Sequence, residues 1–275
     1  DDIGEAADIA AMSSAVVLNI GTLNRRTIAS MKAAGMAANQ KDIPVVLDPV
    51  GAGASALRNE AVAELLCAVR FAVIRGNLSE ISYLAGLSSS TRGVDSSAAD
   101  SKNDAVYAAR TVAERFGCTA AITGKVDVVT DGRRLAKIEN GVAEMGRITG
   151  TGCMLSGVIG AYVGANGDAF MACVAAVASM GLAGEWALAE TNGRGTGSLH
   201  TGIIGALSRI GGAAQTVIGG AIMLVGVPML ILPGPGLLAI GGGAVNAPNG
   251  VEKMLGKEER TSAERMRALQ GGQGD

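Results

Sequence analysis

The chain has 275 residues, of which 48% are hydrophobic and 17% are charged, and its net charge is −2. This composition is too apolar for a disordered protein, and the charge offers no positive field that would attract nucleic acid. Four widely spaced cysteines and a single histidine argue against a disulfide framework and a zinc site. The acidic first residues lack the basic region of a signal peptide, so we expect a cytoplasmic protein in a reducing environment.

Up to about Arg209, short β-branched runs alternate with longer segments of helical spacing. The strand-like runs are 15–20, 43–50, 71–76 and 119–124, and the clearest helical segments are 23–40 and 103–117. This alternation predicts an α/β fold with a mostly parallel sheet that is covered by helices on both faces. Asp131 and Gly132 stand between two alternating runs, which predicts an antiparallel hairpin at one edge of that sheet. From Cys153 to about Ala189 the sequence predicts two buried, alanine-rich helices.

The C-terminal region differs in character from the rest of the chain. Residues 210–251 carry no charge, and the apolar run 216–232 is at the lower limit of length for a membrane span. A turn at PGPG (233–236) would leave the basic flanks of both ends on the cytoplasmic side. Two buried helices that cap the preceding domain explain the pattern equally well. We therefore divide the chain into a domain at 1–210 and an apolar, hairpin-like tail with a charged end at 211–275, in which residues 211–251 are a candidate for membrane association.

Polar residues and glycines follow three of the predicted strands and open one of the predicted helices. In chain order they are Asp48; Arg75, Asn77 and Glu80; Thr123; and Gly150, Thr151, Gly152 and Cys153. Because ligands of open parallel sheets bind at the carboxyl ends of the strands, we expect these residues to share one site. Asp48 and Glu80 suit Mg²⁺, which prefers few carboxylates and several waters. The backbone N–H groups of the last set, at a helix start, suit a phosphate group.

Each of these features has a simpler structural explanation when it is taken alone. The glycines of 51–56 can form a tight turn, Asp48 can cap a turn, and Arg75 and Glu80 can form an ordinary ion pair. The segment GAGASA (51–56) also fits the GxGxxA fingerprint of dinucleotide-binding proteins. That fingerprint requires an acid at the end of the next strand, where this chain has Arg75, so a nicotinamide-dependent oxidoreductase is disfavoured. The order of all four sets favours a site for nucleotide phosphate and Mg²⁺.

In this order the segments resemble the hydroxyethylthiazole kinases of thiamine salvage, a branch of the ribokinase-like superfamily. The likeness rests on VVLNIGTL, IPVVLDPVGAGAS, IRGNLSEI, ITGKVDVVTDG, RITGTGCMLSG and GTGSLHTGIIGAL, and it extends over roughly residues 8–210. It implies a ribokinase-like three-layer α/β/α fold. It also implies ATP-dependent phosphorylation of the primary alcohol of 4-methyl-5-(2-hydroxyethyl)thiazole, with Mg²⁺, by a homotrimer.

The resemblance assigns roles to the residues that match the motifs of this family. By this resemblance Gly150 lies at the thiazole alcohol, within a catalytic turn formed by Gly150, Thr151, Gly152 and Cys153. ATP is contacted by Arg75 and Thr123, and we place Asn77 in the same ATP site because it follows the same strand as Arg75. The metal is served by Asp48 and Glu80.

Cys153 differs from the residue that most ribokinase-like enzymes carry after the glycine turn. Those relatives have an aspartate that accepts the proton of the alcohol, whereas the thiazole kinases have a cysteine. A helix N-terminus favours the thiolate form of a cysteine, so Cys153 either acts as a base or only packs beside the alcohol, and we expect an assisting role. Cys67, Cys118 and Cys173 lie in apolar patterns, and we expect all three in the core.

Two departures from the family pattern suggest an alternative function. Family members usually begin with a further segment that carries a strand and a methionine that touches the thiazole, and without it one sheet edge is expected to be exposed. The tail beyond Ile210 is foreign to the family and is similar to small bacterial membrane proteins with a PGPGW motif, with Leu237 in place of the tryptophan. The alternative is therefore a catalytically impaired binding module that is tethered to a membrane by its tail.

Overall fold

A six-stranded sheet forms the centre of the protein. The computed structural model describes residues 2–87 and 98–221. The strands lie side by side in chain order: β1 (Val16–Asn19), β2 (Val45–Asp48), β3 (Val73–Asn77), β4 (Thr119–Thr123), β5 (Asp127–Thr130) and β6 (Leu135–Ile138). The first four strands are parallel, and β5 runs antiparallel to both of its neighbours. The mostly parallel sheet and the antiparallel hairpin at one edge are thus confirmed, and β1 forms the other edge of the described sheet.

Helices connect the strands and cover them. Those within the described residues are α1 (Ile3–Ala11), α2 (Arg25–Gln40), α3 (Ala56–Ala68), α4 (Leu78–Leu84), α5 (Ala98–Phe116), α6 (Thr151–Ala165), α7 (Ala169–Thr191) and α8 (Thr196–Ala221). A short 3₁₀ helix at Ala143–Arg147 precedes α6. The predicted helices at 23–40 and 103–117 correspond to α2 and α5, and the two alanine-rich helices are α6 and α7.

Local sequence determines where most of these helices begin. A side-chain oxygen of the N-cap residue accepts a backbone N–H in α1, α2, α3, α4 and α7, and the residues are Asp2, Asn24, Ser55, Asn77 and Asp168. In α2 and α4 the third helical residue returns the bond and completes a capping box. Helix α6 has Gly150 at this position and no side-chain cap.

The sheet separates two hydrophobic cores. Successive residues of a strand point to opposite faces, so Val46 and Val73 contribute to one core while Leu47 and Ile74 contribute to the other. The first core is closed by α6, α7 and α8, and the second by α2, α3, α4 and α5. Both faces of β2, β3 and β4 are therefore buried, which explains why these strands are continuous apolar runs, whereas Val17 of the edge strand β1 is exposed. The predicted three-layer α/β/α arrangement is confirmed.

Among the described residues, the one helix that could cross a membrane by its length and composition belongs to the core. Helix α7 is long and apolar enough to cross a membrane, but 61% of its most apolar window is buried inside the protein. Helix α8 continues through the boundary that we predicted at residue 210 and extends to Ala221. The rest of the predicted tail, with most of the apolar run 216–232 and the PGPG turn, lies outside the described residues.

The prediction for the cysteines is correct for two of the three that we placed in the core. Cys118 and Cys173 are buried, and burial raises the pKa of both thiols to about 12. Cys67 is exposed, so its assignment to the core was wrong. The inward face of α3 is formed by Ala61, Val62 and Leu65. A position two residues after Leu65 lies on the opposite side of a helix with 3.6 residues per turn.

Candidate active site

The glycine turn at the start of α6 leaves backbone N–H groups without a side-chain cap. Gly150 has φ 96° and ψ −6°, a left-handed conformation that favours glycine, and it is the N-cap of α6. The Thr151 hydroxyl bonds backward to the carbonyl oxygens of Met145 and Ile148, at 3.3 and 3.2 Å, and so fixes the turn to the preceding 3₁₀ helix. The first turn of a helix carries unpaired N–H groups and the positive end of the helix dipole, so this turn suits a negatively charged group.

The next residue of the turn packs directly against a buried arginine. A Cβ atom placed on Gly152 would lie only 2.8 Å from Nη1 of Arg75, so only glycine allows this approach. Arg75 is 8% exposed, and its Nη2 donates to Oγ1 of Thr123 at 2.5 Å. The ends of β3 and β4 and the start of α6 therefore meet at one point. The fixed positive charge of Arg75 stands directly behind the uncapped turn.

Asp48, at the end of β2, contacts both Arg75 of β3 and Ser156 of α6. It is fully buried, and its Oδ2 accepts hydrogen bonds from Nδ2 of Asn19 and Oγ of Ser156, both at 2.8 Å. Its Oδ1 lies 3.7 Å from Nη1 of Arg75 and has no hydrogen-bond partner. Burial raises the pKa of Asp48 above its ordinary value, while Arg75 and the two hydrogen bonds act in the opposite direction. One oxygen of this carboxylate thus accepts two hydrogen bonds and the other accepts none.

Glu80 and Asn77 hold the strand-end loops together. Glu80 Oε2 accepts the N–H of Asn77 and Asn77 Oδ1 accepts the N–H of Glu80, which forms the capping box of α4. The other oxygen of Glu80 accepts the N–H of Gly51 at 2.8 Å, and the N–H of Gly53 donates to Asn59. These N–H groups of the GAGASA turn are satisfied within the chain. This supports our rejection of a dinucleotide fingerprint, whose turn must offer its N–H groups to a pyrophosphate.

A further carboxyl group, that of Asp127, lies near Thr123 at the same end of the sheet. Asp127 begins β5, and its Oδ1 accepts the N–H of Gly124 at 2.9 Å. Burial raises the pKa of Asp127 to about 6, although the hydrogen bond from Gly124 and the charge of Arg75 lower it. The charge of Asp127 therefore changes close to neutral pH.

The fold brings the predicted residues together at the carboxyl ends of the parallel strands. It adds two residues that sequence reasoning missed. Cys153 lies exposed on the first turn of α6, next to Gly152. The two missed residues are Asn19 and Ser156, which hold Asp48. Asn19 ends β1, as Asp48 ends β2, and its place near the end of a predicted strand was the signal for it. Ser156 carried only a weak signal, because it lies one helical turn after Gly152 in an apolar segment.

Comparison with known proteins shows the family to which the chain belongs. The sequence profile of the hydroxyethylthiazole kinase family matches residues 1–212. The hydroxyethylthiazole kinase of Ruminiclostridium cellulolyticum is 52% identical over 211 residues, which are 76% of this chain and 77% of that protein. The Clostridium beijerinckii enzyme of the same name is 49% identical over 213 residues, again 76% and 77% of the two chains.

A solved structure gives the same result for the fold. The hydroxyethylthiazole kinase of Pyrococcus horikoshii OT3 has a TM-score of 0.67 and 36% identity, with 75% of this chain and 76% of that one covered. The likeness extends over about three quarters of both chains. This chain is therefore a member of the hydroxyethylthiazole kinase family.

Proposed function

We propose that this chain transfers the γ-phosphoryl group of ATP to the primary alcohol of 4-methyl-5-(2-hydroxyethyl)thiazole, a reaction of thiamine salvage. The observation that carries the proposal is the uncapped start of α6 against the buried guanidinium of Arg75. Phosphoryl transfer requires positioning and neutralisation of charge more than covalent chemistry by the protein. Fixed N–H dipoles with an arginine behind them supply that neutralisation without reorganisation.

In this reaction the alcohol oxygen forms a bond to the γ-phosphorus while the bond from that phosphorus to the β–γ bridging oxygen breaks, and ADP leaves. We infer that the turn of Gly150, Thr151 and Gly152 receives the transferred group through its backbone N–H groups. Gly150 then lies at the alcohol, and Cys153 assists, because it is exposed on the same helical turn. Its thiolate accepts the proton of the alcohol, or its sulfur packs beside the alcohol while a phosphate oxygen takes that proton.

We infer that ATP is held by Arg75, Thr123 and Asn77. The hydrogen bond between Arg75 and Thr123 supports a shared role, because the guanidinium is already oriented before a nucleotide binds. Asn77 is exposed at the end of β3, but its side chain is committed to the capping box of α4. We therefore expect its contribution to ATP binding to come through the backbone of that helix start.

We infer that Mg²⁺ is held at Asp48 and Glu80. Oδ1 of Asp48 supports this assignment, since this buried carboxylate oxygen accepts no hydrogen bond and its ion-pair partner, Nη1 of Arg75, is as far away as 3.7 Å. No group of three or more His, Cys, Asp or Glu side chains in the described part of the chain could hold a metal ion. Two carboxylates and a shell of water fit Mg²⁺, which keeps several of its waters. When bound, the ion neutralises charge on the transferred phosphate.

We also propose an oligomeric state, a cellular location, a division of the chain and a membrane contact. We expect a homotrimer, as the resemblance implies, and a cytoplasmic location. We divide the chain into a kinase domain at 1–210 and a tail at 211–275. We also retain membrane association through residues 211–251, most of which lie outside the described residues.

The direct test is phosphoryl transfer by the full chain, purified in mild detergent, with ATP, Mg²⁺ and the thiazole alcohol. We expect the phosphorylated alcohol and ADP in equal amounts, detected by mass spectrometry and a coupled ADP assay, and loss of both when EDTA removes the metal. Binding of ATP without transfer would instead favour the alternative, a catalytically impaired module tethered by its tail. Failure to bind ATP would contradict both functions.

A pair of isosteric variants tests the ATP site. Thr123→Val removes the hydroxyl that holds Arg75 while it keeps the shape of the side chain, so KM for ATP should rise several-fold. Thr111→Val is the matched control, because the Thr111 hydroxyl bonds only to a carbonyl of its own helix, at Tyr107. If both variants change KM for ATP equally, the assignment of Thr123 is wrong.

A further inference from the structure

Helix α6 carries one polar side chain among its buried positions, and that side chain bonds to Asp48. Ser156 is 0% exposed, whereas the other buried positions of α6 are Leu155, Ile159, Gly160 and Val163. Its Oγ donates to Oδ2 of Asp48 at 2.8 Å and lies 3.4 Å from the carbonyl oxygen of Gly152. A hydroxyl group in an apolar layer is costly unless it has a partner. The bond to Asp48 therefore accounts for a serine at this position.

This bond and the glycine contact fix the same helix at two neighbouring points. Ser156 joins α6 to the end of β2 through Asp48. One turn earlier, Gly152 lies against Arg75 of β3, where a Cβ would approach Nη1 to 2.8 Å. Two contacts one turn apart define both the position of a rigid helix along its axis and its rotation about that axis. The backbone N–H groups of the first turn take their position from both contacts.

We infer that Ser156 is a positioning residue for phosphoryl transfer: it holds the first turn of α6 in register with Arg75 and so fixes the N–H groups that receive the transferred group. The inference rests on the proposed function, since it names the part of that site which sets transfer geometry. Because Ser156 is fully buried, we assign it no direct contact with ATP or the alcohol, and it acts through Asp48 and through the backbone of α6. Because reacting groups must be aligned closely, a small shift of the turn slows the transfer step more than it weakens binding.

The test compares four variants of the full chain. Ser156→Ala removes the hydroxyl without adding volume. Ser156→Thr and Ser156→Val add the same extra volume, but only threonine keeps the hydroxyl, so their difference isolates the hydrogen bond from packing. Ser30→Ala is the matched control: Ser30 is also buried on a helix, and its hydroxyl donates to the carbonyl of Arg26 at 3.0 Å, away from α6.

We expect kcat to fall about tenfold or more in Ser156→Ala and Ser156→Val, with KM for ATP nearly unchanged. Ser156→Thr should recover most of the kcat that Ser156→Val loses. Amide hydrogen exchange over residues 150–157 should become faster in Ser156→Ala and stay at the wild-type rate in Ser30→Ala. Melting temperatures should show that every variant stays folded at the assay temperature, so that unfolding does not account for the loss of kcat.

Two results would overturn the inference. One is a kcat of Ser156→Ala within twofold of wild type, and the other is equal kcat in the threonine and valine variants. If the wild-type chain transfers no phosphoryl group, the proposed function fails on that result. Hydrogen exchange then decides the inference by itself: unchanged exchange over residues 150–157 in Ser156→Ala shows that Ser156 does not hold the turn.

Discussion

Replacement of Gly152 by alanine is the sharpest single test of the site geometry. The new Cβ would lie 2.8 Å from Nη1, 3.0 Å from Nη2 and 3.4 Å from Cζ of Arg75. The guanidinium cannot simply swing into solvent, because its side chain is 10% exposed and its Nη2 is bonded to Thr123. The helix start, the arginine or both must therefore move.

The size of that movement follows from the contact distance. Ordinary van der Waals contact begins near 3.4 Å, so the two groups must separate by about 0.6 Å. A misplacement of about 1 Å at a reacting centre can reduce a rate about a hundredfold, so we expect kcat/KM of Gly152→Ala to fall between about tenfold and a hundredfold. Stability should change little, because alanine favours a helix over glycine by up to about 1 kcal/mol and so offsets part of the strain.

Steady-state kinetics of ADP release and urea unfolding would be measured side by side on Gly152→Ala and Gly157→Ala. Gly157 lies on the same helix, and a Cβ there would meet no atom within 4 Å. The control should therefore keep its activity and gain up to about 1 kcal/mol of stability. If Gly152→Ala keeps wild-type kcat/KM, the close approach to Arg75 has no role in the reaction and our account of the turn is refuted.

Three further predictions follow from other parts of the structure. Arg58 donates to three backbone carbonyl oxygens of the loops after β1 and β2, at 2.6, 2.6 and 2.9 Å. Arg58→Ala should therefore lower the free energy of unfolding by about 2–3 kcal/mol in urea titration, and an unchanged value would contradict this role. Burial favours the protonated form of Asp127 in the folded state, so its ionisation reduces stability as pH rises from about 4 to above 6, by up to about 3 kcal/mol. Asp127→Asn should accordingly raise the melting temperature more at pH 8 than at pH 5, and an equal change at both pH values would contradict this account. Iodoacetamide should label the exposed Cys153 and Cys67 in the folded protein. Mg·ATP with the thiazole alcohol should slow the labelling of Cys153 alone, which peptide mass spectrometry can measure. Equal slowing at both cysteines would place Cys153 outside the site.

Much of the fold could be predicted because its signals are local. The β-branched runs that became β2, β3 and β4 are buried on both faces, and such strands need continuous apolar sequence. The Asp131-Gly132 pair indicates a hairpin between the strands on either side of it, so this signal is local. The strand ends also point to the site, because the carboxyl ends of neighbouring parallel strands converge whatever the details of packing. Asp48, Arg75 and Thr123 could thus be assigned to one place from their order in the chain.

Other properties depend on contacts between distant residues, and only the tertiary structure decided them. Ser156 meets Asp48 across 108 positions of sequence, and nothing near either residue indicates the pairing. Cys67 fits an apolar pattern, yet the rotation of α3 on the sheet leaves it exposed, because helix packing selects one face among several apolar ones. The sequence alone determined which residues follow the strands. The packing of helix on sheet decided how closely Gly152 approaches Arg75, and it decided which oxygen of Asp48 accepts no hydrogen bond.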